Sequence, residues 1–272
     1  MAKRGLIVTY YFPPAGGGGV QRWTKFIKYL SNQDWKFTVI TAAIENESIS
    51  DQSLLDDIPP ESKIIRTENK SGKKTDLMKS IPRGYLQRWI GAFIHVTDSR
   101  ENWNQKVIPI INAEMKDGNY DVLFISMPPY STARLAAYYT DKLDIPVILD
   151  MRDPWTINPY KIHPTPLHRY LDKRTEQRTI SKIKYIVSAY QSIVQDYKKF
   201  PQIKSCVITN GYDEADYSDL SNIELSENDS FNLAFSGSFY SHLNRPDNLF
   251  KAIKLLKDEG LRYYFTTSDQ AY

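Results

Sequence analysis

Residues 5–30 read GLIVTYYFPPAGGGGVQRWTKFIKYL, and the reading of this stretch decides the fold. Residues 6–12 form an apolar, β-branched and aromatic run, the composition of a buried strand. Pro13, Pro14 and Ala15 follow, then four glycines. After them Val20, Trp23, Phe26, Ile27 and Leu30 recur at helical spacing on one face. The pattern predicts strand, glycine loop, helix. A loop without β-carbons lets backbone N–H groups close around an anion, and the N-terminus of the helix behind it contributes roughly half a positive charge. A phosphate or diphosphate is the simplest ligand for such a place. A tight βα turn without a ligand accounts for one or two glycines. Four in a row give up roughly 0.5–1 kcal/mol each in chain entropy relative to alanine, which favours the ligand.

What the loop lacks narrows the ligand. A dinucleotide fingerprint requires G-x-G-x-x-G or a final alanine, yet its last position is Gln21 counted from Gly16 and Arg22 counted from Gly17. The next strand, at residues 36–41, closes on Thr41 and Ala42 without the acid that binds a ribose. NAD is disfavoured. The Gly-Lys pair at Gly72-Lys73 is followed by Lys74 in a polar connector, so a Walker loop has no support. The tetrapeptide Asp213-Glu214-Ala215-Asp216, helicase-like in spelling, stands without such a loop and is read as chance.

The 272 residues are 41% hydrophobic and 25% charged, which suits one large domain or two smaller ones. A net charge of +3 is too weak to argue for nucleic acid. The single cysteine, Cys206, excludes an internal disulfide and is expected to be a buried strand residue in a reducing compartment. No apolar stretch approaches the ~20 residues of a membrane span. The opening Met-Ala-Lys-Arg resembles the start of a signal peptide, but the glycine loop that follows directly makes a first strand the better reading.

Along the chain, further strands are expected at 63–66, 121–126, 146–150, 184–188 and 205–209. Helices are expected at 103–115, from Ser131 as N-cap to 143, and at 165–181 and 189–199. This alternation predicts a parallel sheet covered on both faces, with a ligand crevice at the carboxyl ends of its strands. Residues 70–96 break the rhythm: Lys70, Lys73, Lys74, Lys79, Arg83 and Arg88 are interleaved with aromatic and apolar residues. A helix of this kind suits either an anionic lipid surface or packing on the protein's own core. Residues 213–230 read as an acidic, loop-like connector. A second β-α-β then begins, with a strand at 231–236, a loop at Gly237-Ser238, a helix at about 245–259 and a strand at 261–266. About 40 residues are too few to bury a sheet unaided.

The runs YYFPPAGGGGVQR, ISMPPYS, LDMRDPW, VITNGYDEADY and AFSGSFY, in this order across residues 5–255, resemble the nucleotide-sugar-dependent glycosyltransferases of GT-B fold, in particular glycosyltransferase family four. The resemblance implies an N-terminal acceptor-side Rossmann-like domain (1–215), a linker (216–230) and the start of a nucleotide-sugar-binding domain (231–272). It implies that Gly17, Gly18 and Gly19 line the cleft near the donor diphosphate and that Gly237 begins the donor loop with Ser238. Arg245 stands where relatives place a lysine toward the diphosphate, while Ser238 replaces their arginine. Pro128, Tyr130 and Ser131 would border the acceptor side, with Arg152 and Asp153 at the cleft floor. Arg152 stabilises a departing diphosphate in this reading; a salt bridge to Asp150 or Asp153 that shapes the loop is the alternative. Trp155 is expected to pack rather than to support a sugar, and Asn210-Gly211 to turn with Gly211 at positive φ.

The implied function is transfer of a sugar from a UDP- or GDP-linked donor to a sugar, lipid-linked sugar or other hydroxyl acceptor in bacterial surface polysaccharide synthesis. Transfer would retain the anomeric configuration and need no metal and no cofactor beyond the donor substrate. The expected location is the cytoplasm, with peripheral attachment to the inner membrane face through 70–96. Two departures stand out. The donor-loop arginine is absent, and the family's later pair of glutamates lies beyond residue 272. A truncated, catalytically silent binding or assembly component is therefore the alternative.

Overall fold

The computed structural model describes residues 2–43, 50–68, 85–222 and 246–258. The chain divides into two units, Met1–Asp219 and Leu220–Tyr272. In the first unit the described elements are β1 (Lys3–Val8), α1 (Gly18–Ser31), β2 (Trp35–Ala42), β3 (Lys63–Thr67), α2 (Tyr85–Ile94), α3 (Glu101–Asp117), β4 (Val122–Met127), α4 (Ala133–Tyr139), β5 (Val147–Met151), α5 (Pro166–Ile180), β6 (Tyr185–Ser188), α6 (Gln191–Tyr197) and β7 (Lys204–Val207). In the second unit the described residues are the end of a 3₁₀ stretch, Glu214–Asn222, and one helix, α7 (Asp247–Asp258).

The seven strands make one parallel sheet in the order β3-β2-β1-β4-β5-β6-β7. Successive side chains of a strand point to opposite faces, and β1 shows the consequence. Leu6 and Val8 join a core with Trp103, Val107 and Ile111 of α3 and Leu135 and Ala136 of α4, whereas Ile7 joins Trp23 and Ile27 of α1. Leu6, Ile7, Val8, Leu123, Ile125 and Leu149 are fully buried, as strands covered on both faces require. The expected Rossmann-like α/β architecture is the observed one.

Local differences are instructive. β1 ends at Val8, although the apolar run continues to Phe12. Tyr10 and Phe12 are as buried as strand residues, so hydropathy could not separate strand from buried loop. Cys206 is exposed, contrary to expectation, because β7 is an edge strand paired on one side only. Gly211 is not at positive φ; among the described glycines only Gly17 is. Ser131 does not cap α4. It lies in a short 3₁₀ turn, Tyr130–Thr132, and its hydroxyl donates to Asp98.

The acidic segment after residue 212 is anchored at its start. Asp213 is buried and accepts hydrogen bonds from Lys25, Lys28 and Tyr29 of α1 at 2.7–2.9 Å, before a 3₁₀ stretch at Glu214–Asn222. Asp57 pairs with both of these lysines and Asp216 with Lys25. The oxygens of the three carboxylates lie within 4.8 Å of one another, a spacing that would suit a cation, but the ammonium groups already fill that role.

Hydrogen bonds from Lys28, Tyr29 and Lys25 hold the Asp213 carboxyl well below the usual carboxylate range. A depressed carboxylate stabilises the fold above its unfolded pKa of about 4 and loses that contribution as pH falls toward the folded value. Asp213→Asn should therefore cost about 1–3 kcal/mol in urea unfolding near neutral pH. The gap from the parent protein should narrow on acidification below about pH 4. A gap that does not change with pH would show that the ion cluster contributes nothing.

Candidate functional site

The strand order reverses between β1 and β4, with β2 and β3 on one side and β5 to β7 on the other. In an open parallel sheet the ligand crevice forms at the carboxyl ends of the strands at this switch point. Two loops flank it: the glycine loop after β1 and the proline loop after β4.

The glycine loop leads into the 14-residue α1 with Gly17 as N-cap at φ 95°. No side chain caps α1, and no acidic residue occupies its first turn. The positive end of the helix is thus left without a side-chain counter-charge. Gly17, Gly18 and Gly19 are exposed, and each lacks a β-carbon in a different setting. Gly17 has the backbone conformation that L side chains avoid. A β-carbon on Gly19 would stand 2.5 Å from Nη1 of Arg152. Around Gly18 there is open space within 4 Å.

Arginines hold this loop at both ends. Arg66 donates from Nη2 to the carbonyl of Pro13. Arg152 donates from Nη1 to the carbonyl of Gly19, from Nη2 to Pro128 at 2.6 Å and from Nε to Met127 at 3.3 Å. One buried guanidinium therefore ties the glycine loop to the proline loop. Burial pushes its pKa down, while the charges of Asp150 and Asp153 act in the opposite sense. Asp153, beside it and half-buried, is pushed up by burial and pulled back by Arg152. Among the described residues its carboxylate receives no hydrogen bond.

Asp150, in β5 two residues before Arg152, is 1% exposed. It accepts from Nε of Arg22 at 3.1 Å, from the Trp23 indole at 2.9 Å and from the Ser126 hydroxyl at 3.0 Å, and Nη2 of Arg22 lies 3.1 Å away. Arg22 continues to the carbonyl of Ile208 and to Oδ1 of Asn210 at 2.8 and 3.0 Å. This network joins α1, β4, β5 and the end of β7. Sequence reasoning did not single out Arg22 or Asp150 as a pair. The available signal was a carboxylate closing an apolar strand, which must find a cation if buried.

On the proline side, Pro128 is partly exposed and Tyr130 half-buried, whereas Ser131 is fully buried. The Ser131 amide and hydroxyl both donate to Asp98, at 2.7 and 2.9 Å. The Tyr130 hydroxyl accepts from Asn158 at 2.7 Å, and its ring stacks on Trp155 with centroids 6.0 Å apart. Burial, with the charge of Asp153, pushes the Tyr130 phenol up. Trp155 is fully buried and donates to Asp172. The structure thus brings together Gly17, Gly18, Gly19, Pro128, Arg152 and Asp153, with Tyr130 adjoining and Ser131 inward. Gly237, Ser238 and Arg245 lie outside the described residues.

Asp150→Asn leaves the Arg22 guanidinium buried without its counter-charge. It should lower unfolding free energy by about 3–5 kcal/mol in urea titration. A loss under about 1 kcal/mol would mean that the pair does not anchor α1.

The sequence matches no protein-family model and no curated protein. Its structure is similar to sucrose-phosphate synthase from Thermosynechococcus elongatus, with TM-score 0.53 and 11% identity over 82% of this chain and 53% of that one. It is also similar to the N-terminal domain of trehalose-6-phosphate phosphatase from Candida albicans, with TM-score 0.50 and 12% identity over 95% and 55%. The chain spans about half the length of these structures. At such identities the likeness is one of fold, and the fold of Met1–Asp219 is that of a Rossmann-like GT-B domain.

Proposed function

We propose that the chain is the acceptor-side part of a glycosyltransferase that uses a nucleotide-sugar donor, of the family-four kind that its motifs resemble. The observation that carries this reading is Gly18. Gly17 is explained by its positive φ and Gly19 by the Arg152 guanidinium, but open space surrounds Gly18. Close approach of a ligand to the backbone remains as the reason for its missing side chain. The ligand chemistry that suits an uncapped helix end is a diphosphate.

In the proposed retaining, metal-independent reaction the bond from the anomeric carbon to the diphosphate breaks. The acceptor oxygen attacks the same face, and its proton passes to a donor-phosphate oxygen. The chain's own part is orientation and charge stabilisation. Gly17–Gly19 N–H groups would face the diphosphate. Arg152 is a positioning residue that holds Gly19 and Pro128 in place and adds positive charge below them. Asp153, uncommitted to any hydrogen bond among the described residues, would orient the acceptor hydroxyl beside Pro128 and Tyr130. Gly237, Ser238 and Arg245 would complete the donor side.

Calorimetric titration with UDP, GDP and their sugar conjugates tests the reading. Saturable binding should be lost in Gly18→Val, whose β-carbon meets no other part of the folded protein within 4 Å. Equal affinity in parent and variant would remove the nucleotide from the glycine loop. No binding at all, with the fold intact, would favour the silent binding component instead.

We further propose that the acceptor is presented at an anionic membrane surface of the kind used in bacterial surface polysaccharide assembly. No described helix is long and apolar enough to cross a membrane. However, α2 exposes Trp89, Phe93 and Ile94, and α5 exposes Leu167, Tyr170 and Leu171. The two helices adjoin, with the Phe93 and His168 rings 4.9 Å apart, and Arg88, Arg169 and Arg174 are exposed around them. Of the 70–96 segment, residues 70–84 lie outside the described residues. An aromatic face with a cationic rim complements anionic lipid. Cosedimentation with phosphatidylglycerol vesicles should weaken severalfold when Arg88, Arg169 and Arg174 become Gln, and again when salt is raised from about 0.05 to about 0.5 M. Salt-insensitive binding that the variant retains would overturn the proposal.

A further inference from the structure

A groove of about 410 Å³ lies between α4 and α5. Arg134 and Tyr138 line it from α4, Thr175, Arg178 and Thr179 line it from α5, and Lys182 closes it just beyond α5. No carboxylate is among its lining residues. Arg134 is partly neutralised by Glu101 at 3.3 Å. The Arg178 and Lys182 side chains have no ion-pair or hydrogen-bond partner among the described residues. Lys142 adds a fourth cation against the Tyr138 wall, its ammonium 3.6 Å from the centroid of that ring.

Cations gathered around one concavity repel one another, and the fold supplies little to offset this. Helix polarity accounts for Arg178, which sits in the last turn of α5, where a cation is favoured. It does not account for Arg134. That residue is second in α4, at the helix end where a cation is disfavoured. A bound anion would relieve the repulsion, and the hydroxyls of Thr175 and Thr179 add neutral donors suited to phosphate oxygens.

We propose that this groove binds a small phosphorylated anion of pyrophosphate type, held by Arg134, Arg178 and Lys182 with the Tyr138 ring as one wall. The site is separate from the proposed donor crevice and goes beyond that reading. Lys182 precedes β6 and so lies toward the amino ends of the strands, whereas the glycine loop follows the carboxyl end of β1. The anion has two possible sources, a free phosphorylated metabolite and a lipid headgroup phosphate, which offer the same chemistry.

The test is calorimetric titration of the 272-residue chain with pyrophosphate at about 0.05 and 0.15 M salt. The comparison proteins are Arg178→Glu/Lys182→Glu and Gly18→Val. Saturable binding weakened at least about tenfold by the double charge reversal, and unchanged in Gly18→Val, supports the groove whether or not the nucleotide reading holds. Binding lost in Gly18→Val but kept in the charge-reversed protein would place pyrophosphate at the glycine loop and overturn the proposal. Phosphatidylglycerol vesicles form the second arm. Vesicle binding that falls in the charge-reversed protein, with no response to pyrophosphate, assigns the groove to a headgroup. No effect of the reversal in either arm, with its circular dichroism unchanged, overturns the proposal.

Discussion

The carboxylate of Asp150 is the point on which the arrangement of this site depends. It closes a central strand at 1% exposure, and a charge at that depth is costly unless it is paired and hydrogen-bonded. Arg22, Trp23 and Ser126 meet that demand together. Because two of these three come from consecutive residues of α1, the helix can neither rotate nor slide along the sheet without stripping the carboxylate of its partners. The orientation of α1 sets the direction of its uncapped N-terminus. A charge pair in the core thus aims the glycine loop at the surface.

Arg152 extends the same logic one layer outward. Its donors go to the carbonyls of Gly19, Met127 and Pro128, so the positions of the two loops are coupled through one side chain. A planar guanidinium with donors in a fixed fork suits this task, and a lysine at this position would hold one carbonyl well rather than three. Rigid loops on either side of a switch point present backbone donors without reorganisation when a ligand arrives, which is the condition for strong electrostatic stabilisation.

Charge is distributed with the same economy elsewhere. The lysines of α1 that face away from the crevice are neutralised by Asp57, Asp213 and Asp216, which fastens the last part of the first unit to the helix that carries the glycine loop. Among the described residues the cations of α5 have no such acidic complement. The surface of α5 thereby differs along its length, with aromatic and aliphatic side chains exposed near Leu167 and Tyr170 and a cation in the last turn at Arg178.

The alternation of apolar runs and amphipathic stretches was enough to read the parallel α/β sheet and each of its seven strands, because two-sided burial demands hydrophobic residues at local, regular spacing. The glycine loop was legible for the same reason: missing β-carbons are a property of the residues themselves. What residue type could not reveal was partnership. Arg22 and Asp150 are 128 positions apart, Gly19 and Arg152 are 133 apart, and Lys25 and Asp213 are 188 apart. Which of several arginines meets which carboxylate, that Ser131 turns inward to Asp98, that Cys206 faces out from an edge strand, and that Phe12 is buried in a loop follow from strand order and packing. Local periodicity records whether a side chain is buried. Only the folded sheet brings distant residues close enough to decide against what.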